Sequence, residues 1–359
     1  MEKDISWIFE LRSKVPLFLD KLRSNKKRFF FHYSLSGDLY DENINWGLGN
    51  TVYAVVIYHR LGVLGNLDKE EKKSMFEFIE SFQKRNGEFY DPLIKKKAFL
   101  RDKLSSFRNL NFNNFLHQQT VIAETKQTFS AINLLEKTTK YKYNKFPKTE
   151  VEIGKYLGRL NWHSPWGAGA HFNALLFFLK NSDLPDKDKL TDFAIDWVNK
   201  LQSAETGSWY RGNPSLQQKI NGAMKVVTAL EFVNKLNFNH PEKLIDLCLP
   251  ATDYEGACDC MDRLHVLHKA NELLNGEYRL EEIKDFCYEQ LQLYNKEHYF
   301  PGIGGFSFYK HKAEQRYYGA KITRGFNEPD LHGTSLFLSS IAMISQILGI
   351  DKELGFNIS

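Results

Sequence analysis

Residues 251–271, ATDYEGACDCMDRLHVLHKAN, hold two of the chain's four cysteines among several acidic residues and histidines. This composition fits a metal site, a proton donor or the start of a buried helix. Asp259 and Asp262 are three positions apart, which places both carboxylates on one face of a helix. In a partly apolar site, one of two crowded carboxylic acids keeps its proton at neutral pH. The same carboxylates could instead bind magnesium together with a diphosphate.

The third interpretation of this segment involves no ligand. Acidic residues are favoured in the first turn of a helix because they interact well with its dipole. Cys260 and the leucines that follow it would then only pack in the core. The segment by itself leaves the three interpretations open.

The elements that would position these residues are almost all helices. Apolar residues recur at spacings of three and four, and the alternation typical of strands is scarce. Six segments begin with small or polar residues and continue as strongly apolar helices, namely 45–62, 123–136, 164–180, 220–233, 256–270 and 331–349. More amphipathic helices lie between them, including 69–83, 188–202 and 279–294.

This alternation of helix types predicts the fold. Helices that are apolar on nearly all sides are buried, whereas amphipathic helices cover them. We therefore predict an all-α fold, a single α/α toroid of about six inner and six outer helices. No linker rich in proline, glycine or serine divides the sequence, so one domain is predicted over residues 1–359. The segment 88–122 departs from the repeat and is predicted to be an insertion or an irregular segment.

A second repeated pattern follows the amphipathic helices. QKRNGEF at 83–89 and QSAETGSW at 202–209 share a glutamine, a glycine and an aromatic residue, and 305–308 after Gln292 is a looser third copy. The glycine is expected to end the outer helix in a left-handed conformation, with the aromatic ring over the turn. The glutamine is expected to bond unpaired backbone groups. The pattern resembles the Q-x-x-x-G-x-W repeats of the squalene cyclase and protein prenyltransferase superfamily, whose members are α/α toroids.

In such a toroid, parallel inner helices bring six helix N-termini to one mouth. Their unpaired N–H groups and positive dipole ends suit an anion such as a diphosphate or a uronate. Residues at the starts of the inner helices are therefore the predicted site residues: Trp46, Asn50, Gln127, Trp166, His171, Asn221, Lys225, Asp259, Asp262 and His332. The long basic loop 306–333 adds Tyr317 and Arg324 as predicted substrate contacts.

The resemblance implies an enzyme that acts on an isoprenoid, with isoprenoid diphosphates as the expected substrates, in an aromatic-rich bore. By analogy with terpenoid cyclases, Asp259 and Asp262 would supply the acid that protonates the substrate. By analogy with protein prenyltransferases, Asp259, Cys260 and His332 would hold zinc, and their side chains are good zinc ligands. Adjacent helical residues point about 100° apart, so a zinc site would require a distorted helix start. Magnesium is the alternative metal.

Residues 160–172, LNWHSPWGAGAHF, point to a different class of enzyme. They are similar to the Asn-His and Ser-x-Trp pattern of alginate-lyase-like toroids. That similarity implies that Asn161 neutralises a uronate while His163, His171 or Tyr317 moves a proton. A polysaccharide lyase or glycoside hydrolase is therefore the alternative enzyme. A toroid that only binds a lipid or a partner protein is the third hypothesis.

The composition limits the remaining classes of function. The net charge of +4 is small and dispersed, which argues against nucleic acid, and an aromatic content of 14% favours a large apolar or carbohydrate-binding cavity. Four cysteines in 359 residues do not form a disulfide framework, so a cytoplasmic protein is expected. The N-terminus does not read as a signal peptide, and no stretch reaches the ~18 apolar residues of a membrane span. Peripheral membrane contact and the oligomeric state stay open.

Overall fold

A computed structural model of the chain describes residues 4–27, 29–109, 119–251 and 254–358. The predicted all-α class is confirmed, because most of these residues are helical. The α-helices are α1 Leu11–Leu22, α2 Leu48–Arg60, α3 Lys69–Glu80, α4 Pro92–Asn109, α5 Gln119–Leu134, α6 Glu150–Arg159, α7 Pro165–Lys180, α8 Lys187–Asn199, α9 Leu216–Phe232, α10 Pro241–Cys248, α11 Ala257–Leu273, α12 Leu280–Glu297, α13 Leu331–Leu348 and α14 Asp351–Leu354.

Short strands occur in the long connection between α12 and α13. Strand β1, Tyr299–Phe300, pairs antiparallel with β2, Gly305–Phe306, and Tyr299 lies opposite Phe306. Strand β3, Arg316–Tyr317, pairs antiparallel with β4, Ala320–Lys321. These two hairpins fold the basic loop predicted at 306–333 against the start of α13, where β2 contacts the helix.

The six predicted apolar segments are all helices, namely α2, α5, α7, α9, α11 and α13. Each of them contacts the next one along the chain, and α13 contacts α2, so the contacts form a cycle. Burial explains this arrangement: α7 and α13 have apolar residues around most of their circumference, and nearly all of these are buried.

The amphipathic helices alternate with these six. Helices α3, α8 and α12 occupy the predicted amphipathic segments. Helix α8 lies between α7 and α9 in sequence and contacts α7 and α6, whereas α10 contacts α9 and α11. Helix α3 starts with a capping box, in which the Asp68 side chain accepts from the Glu71 N–H and Glu71 bonds back to Asp68.

Most of the predicted insertion 88–122 is helical, because α4 covers Pro92–Asn109. Residues 110–118 of this segment lie outside the described ranges. Asp91 fixes the start of α4, since its Oδ1 accepts hydrogen bonds from the N–H groups of Leu93 and Ile94. Helix α4 contacts β4 and α5, which places it beside the β3–β4 hairpin.

The glutamine–glycine–aromatic segments are turns that join neighbouring parts of the chain. Gln83 exchanges hydrogen bonds with the backbone of Tyr141 at 2.7 and 3.1 Å, and Gln202 does the same with Asn239 at 2.5 and 3.2 Å. The predicted bonding of the glutamines to backbone groups is therefore confirmed. The aromatic residues that follow, Phe89 and Trp209, are fully buried.

The glycines of these turns have the predicted left-handed conformation, with φ of 81° at Gly87 and 71° at Gly207. The prediction that they end the outer helices is wrong, because α3 ends at Glu80 and α8 ends at Asn199. Each glycine instead turns the loop beyond the helix, where backbone from another segment approaches too closely for a side chain. The third copy is also wrong, since Gln292 lies within α12 and is exposed.

One helix in the described ranges, α13, is long and apolar enough to cross a membrane. However, 72% of its apolar window is buried within the protein, as expected for the central helix of a packed core. The buried apolar residues around it form a cluster that extends from Trp7 to Phe356.

Candidate functional site

The start of α11 places Asp259 and Asp262 in different environments. Asp259 is in the first turn, where its Oδ2 accepts from the Glu255 N–H at 3.0 Å and its Oδ1 accepts from Asn221 Nδ2 at 3.1 Å. Asn221 belongs to α9, so the Asp259 carboxylate joins the starts of two neighbouring helices. With both oxygens occupied, Asp259 serves as a structural link.

Asp262 lies one turn deeper along α11. Its side chain is only 1% exposed, and its Oδ2 forms no hydrogen bond with any described residue. Burial raises the pKa of Asp262 to about 7, and the nearby charge of Lys225 works in the opposite direction. A carboxylic acid that keeps its proton near neutral pH, with one free oxygen, is able to donate a proton to a ligand.

Cys258, His332 and Glu314 form a hydrogen-bonded series beside Asp262. His332 Nδ1 lies 2.7 Å from Glu314 Oε2, and the histidine also bonds to the Cys258 side chain. Cys258 comes from the first turn of α11 and His332 from the first turn of α13, while Glu314 lies just before β3. His332 and Glu314 keep 16% and 14% of their surface exposed.

The protonation of this series decides its chemistry. Burial alone would lower the pKa of His332, but the Glu314 carboxylate and the Cys258 hydrogen bond outweigh burial and raise it to about 10. Burial also raises the pKa of the Cys258 thiol, although its bond to His332 opposes that change. At neutral pH Cys258 is therefore a thiol and His332 is an imidazolium paired with Glu314. Cys258 is not a ready thiolate nucleophile.

Aromatic rings surround the paired His332 and Glu314 side chains. The Tyr53 ring stacks on the His332 ring with centroids 4.7 Å apart, and the Phe308 ring lies 4.9 Å away. Tyr33 donates its hydroxyl to Glu314 Oε2 at 2.6 Å. The ring centroids of Tyr317 and Tyr53 lie 6.0 Å apart. The aromatic residues around His332 therefore come from α2, two loops and the β3–β4 hairpin.

Two lysines lie on helices of the same cycle and interact through their charges. Lys126 belongs to α5 and Lys225 to α9, and both are partly buried. Burial, together with the charge of Lys225, lowers the pKa of Lys126 to about 7. Lys225 is also the cation that acts on the carboxyl of Asp262. Two ammonium groups that repel each other inside a protein provide a site that an anion would stabilise.

The predicted zinc ligands are not brought together. Cys260 is buried, and it is Cys258 that bonds to His332. Across the described ranges, no group of three or more His, Cys, Asp or Glu side chains could hold a metal ion. The reason is the geometry of a regular helix start. Adjacent helical residues point about 100° apart, so Asp259 and Cys260 point in different directions.

Several predicted substrate contacts have structural partners. Asn50 donates its Nδ2 to the carbonyl of Phe31 at 2.8 Å, which ties α2 to the preceding loop. Trp46 is buried and packs edge-on against Phe30 and Tyr40. The structure therefore gives both residues a role in packing the segment before α2.

The other predicted contacts lie on the surface or on separate helices. Trp166 is 38% exposed, and Arg324 is exposed and donates to the carbonyl of Ser36 at 2.7 Å. Gln127 is partly buried on α5, next to Lys126. His171 is buried on α7, where its Nδ1 lies 2.9 Å from the hydroxyl of Tyr156.

The residues of the predicted lyase site are similarly divided. The N–H of His163 bonds to Asn161 Oδ1 at 3.2 Å, and the His163 side chain is exposed beside Gly212. Tyr317 is buried among the tyrosines near His332. Within the described residues, no hydrogen bond or ring contact joins His163 to Tyr317.

Three contributors to the site were missed from the sequence, namely Lys126, Glu314 and Tyr33. Lys126 is adjacent to the predicted Gln127, so the segment was found but not the residue. Glu314 lies between Lys312 and Arg316 in the basic loop, and that contrast in charge was an available signal. Tyr33 precedes α2 and carries no recognisable pattern.

Compared with known proteins, the sequence matches no family model and no curated protein.

Proposed function

We propose that the cycle formed by α2, α5, α7, α9, α11 and α13 is the inner ring of a single α/α toroid. The contact between α13 and α2 supports this, because a row of stacked helix pairs would leave its two ends apart. The alternation with outer helices supports it as well. The starts of α11 and α13 contribute neighbouring site residues, as expected where parallel inner helices begin at one mouth.

Within this ring, we propose an enzyme that acts on an isoprenoid diphosphate. The observation that carries the proposal is the group formed by Lys126, Lys225 and Asp262. The two lysines supply positive charge for a diphosphate, and Asp262 supplies a proton. The aromatic rings around His332 supply an apolar wall for the hydrocarbon chain.

The lysines would bind the diphosphate because an anion removes their mutual repulsion. Lys126, with a pKa of about 7, is half protonated near neutral pH. A bound diphosphate favours its charged form, so binding takes up a proton and weakens as the pH rises above 7. Hydrogen bonds to charged groups contribute about 1.5–3 kcal/mol each, which is enough for recognition of the head group.

Asp262 would act as the general acid. Its proton would pass to a carbon–carbon double bond of the substrate, and the electron pair of that bond would form the new C–H bond. The cation that results is stabilised by the faces of nearby aromatic rings such as Tyr53. Lys225 stabilises the Asp262 carboxylate that is left. Transfer of a proton from the product cation back to the Asp262 carboxylate, directly or through solvent, would complete the reaction, regenerate the acid and leave no net change in protons.

The binding of inorganic pyrophosphate and of farnesyl diphosphate, measured by titration calorimetry, tests the anion site. The double variant Lys126→Met and Lys225→Met is expected to weaken both by roughly a hundredfold or more. It should still fold, because it removes two partly buried like charges. Exposed lysines on α6 and after α8 provide the control, Lys155→Met with Lys200→Met, which should bind normally. Equal affinities of the two double variants would refute the anion site.

A glycan lyase is the second candidate, and the bond between His171 and Tyr156 favours it. A histidine and a tyrosine at 2.9 Å can relay a proton from a sugar ring. His171→Ala should abolish turnover of a uronate polymer if this candidate is correct, and should leave diphosphate binding unchanged. A protein that binds farnesyl diphosphate but forms no product would be the non-catalytic toroid.

A further inference from the structure

Helix α4 presents an unusual outer face. Leu104 and Phe107 are 72% and 67% exposed, the highest values among the large apolar side chains of the described residues, and Phe99 is 47% exposed. The opposite side of the helix is buried, with Ile94 and Ala98 each only 1% exposed. The exposed apolar residues therefore lie on the side of α4 opposite Ile94 and Ala98.

Basic residues share that face. Lys96, Phe99, Lys103 and Phe107 follow one another at spacings of three and four, so they form one stripe along the helix. Lys96 and Lys103 are exposed, and the Lys103 ammonium lies 4.5 Å from the centre of the Phe99 ring. Alternation of lysine and phenylalanine along an exposed stripe differs from the charged face of an ordinary surface helix.

The charge of the segment is strongly one-sided. Residues 92–109 contain six basic residues and one acidic residue, Asp102. The β3–β4 hairpin packs against α4 and adds two exposed basic residues, Arg316 and Lys321. In a chain with a net charge of only +4, the sequence of this one segment therefore contains five more basic than acidic residues.

We propose that this face of α4 docks on an anionic lipid bilayer. Apolar side chains on a basic amphipathic helix insert at the boundary between head groups and acyl chains, while lysines reach the lipid phosphates. Anionic lipids attract each basic residue near the surface. A protein partner would have to match both the apolar stripe and the charge, whereas a fluid anionic surface provides both at once.

The position of this face relates it to the proposed function. The hairpin that contacts α4 also carries Tyr317, which packs against Tyr53 beside His332. Docking through α4 would therefore hold the residues around His332 near the bilayer, where a long isoprenoid would be dissolved. The inference deepens the proposed function in this respect, but the docking itself requires only the exposed side chains of α4.

Sedimentation of the full chain with lipid vesicles tests the docking without any substrate. Binding is expected to vesicles of phosphatidylcholine mixed with phosphatidylglycerol, and it should weaken with added salt. The charge reversal Lys96→Glu with Lys97→Glu should reduce binding by about tenfold or more. Leu104→Ser with Phe107→Ser should reduce it comparably at high salt, where insertion of apolar side chains dominates.

Matched variants elsewhere on the surface control for changes in charge and apolar area. Lys155→Glu with Lys200→Glu repeats the charge reversal, and Leu17→Ser with Val151→Ser removes two other exposed apolar side chains. Both control variants should bind vesicles normally. Failure of the native chain to bind anionic vesicles would overturn the proposal, as would equal losses in the controls. Because pyrophosphate binding is measured in solution, it reports on the proposed function separately.

Discussion

Two buried aspartates, Asp262 and Asp330, have the same raised pKa and different surroundings. Burial raises the pKa of each to about 7, and both side chains are almost completely inaccessible. Asp330 caps α13, and its two oxygens accept from the N–H groups of Gly333, Phe308 and Glu314 at 2.8–3.1 Å. Asp262 has an oxygen with no partner among the described residues.

The difference shows that a raised pKa does not by itself mark a catalytic group. Three backbone donors hold the Asp330 side chain in place and join the start of α13 to the loop that carries Glu314. The unused oxygen of Asp262 has no such role, and a buried polar atom without a partner costs free energy that folding must offset. Retaining such an atom is expected where a ligand provides the partner.

The largest expected effect is on turnover. Asp262→Asn keeps the shape of the side chain but removes the acidic proton, so formation of product from an isoprenoid diphosphate should fall roughly a hundredfold to ten-thousandfold. Gas chromatography of the extracted products measures the rate of product formation. Diphosphate affinity should change little, because Lys126 and Lys225 are retained. Normal turnover by the Asp262→Asn variant would show that Asp262 is not the acid.

The second effect is on stability. Asp330→Ala leaves three backbone N–H groups without an acceptor and removes the cap of α13, so the free energy of unfolding should fall by roughly 3–5 kcal/mol. Urea unfolding followed by circular dichroism measures the change. Asp330→Asn keeps one acceptor oxygen and should cost clearly less. A loss below about 1 kcal/mol for the alanine variant would contradict the structural role given to Asp330.

The sequence predicted the helices well because helix formation depends on neighbours three and four positions apart. The spacing of Asp259 and Asp262 therefore located the start of α11. The same local pattern could not separate their roles, because Asn221, which donates a hydrogen bond to Asp259, lies 38 residues away along the chain. Glu314 was missed for the same reason: its contacts with Tyr33 join residues 281 positions apart, through a loop without periodicity.

The glutamine turns make a similar point about local pattern. Gly87 and Gly207 were recognised as left-handed, which depends on glycine alone. Their distance from the ends of α3 and α8 depends on where Tyr141 and Asn239 lie in the fold. The motif therefore predicted the bonding of Gln83 and Gln202 but not the geometry of the turn.

The third effect is on the pH dependence of stability, and it applies the comparison to Asp262 directly. The pKa of Asp262 is about 7 in the folded protein and 3.8 for an unperturbed side chain. Its protonated form therefore favours folding fully below pH 4, and this contribution is lost as the pH rises through 7. The loss is roughly 4 kcal/mol at most, at 1.36 kcal/mol for each pH unit between the two values.

Asp262→Asn removes this dependence because asparagine stays neutral. The native and variant proteins should have similar free energies of unfolding near pH 4, and the variant should become the more stable protein by pH 8. Urea unfolding at several pH values measures the difference. The contribution of Asp330 is present in both proteins and cancels when one is subtracted from the other. Parallel curves across this range would mean that Asp262 is ionised in the folded protein, which would leave it without the proton that the proposed reaction requires.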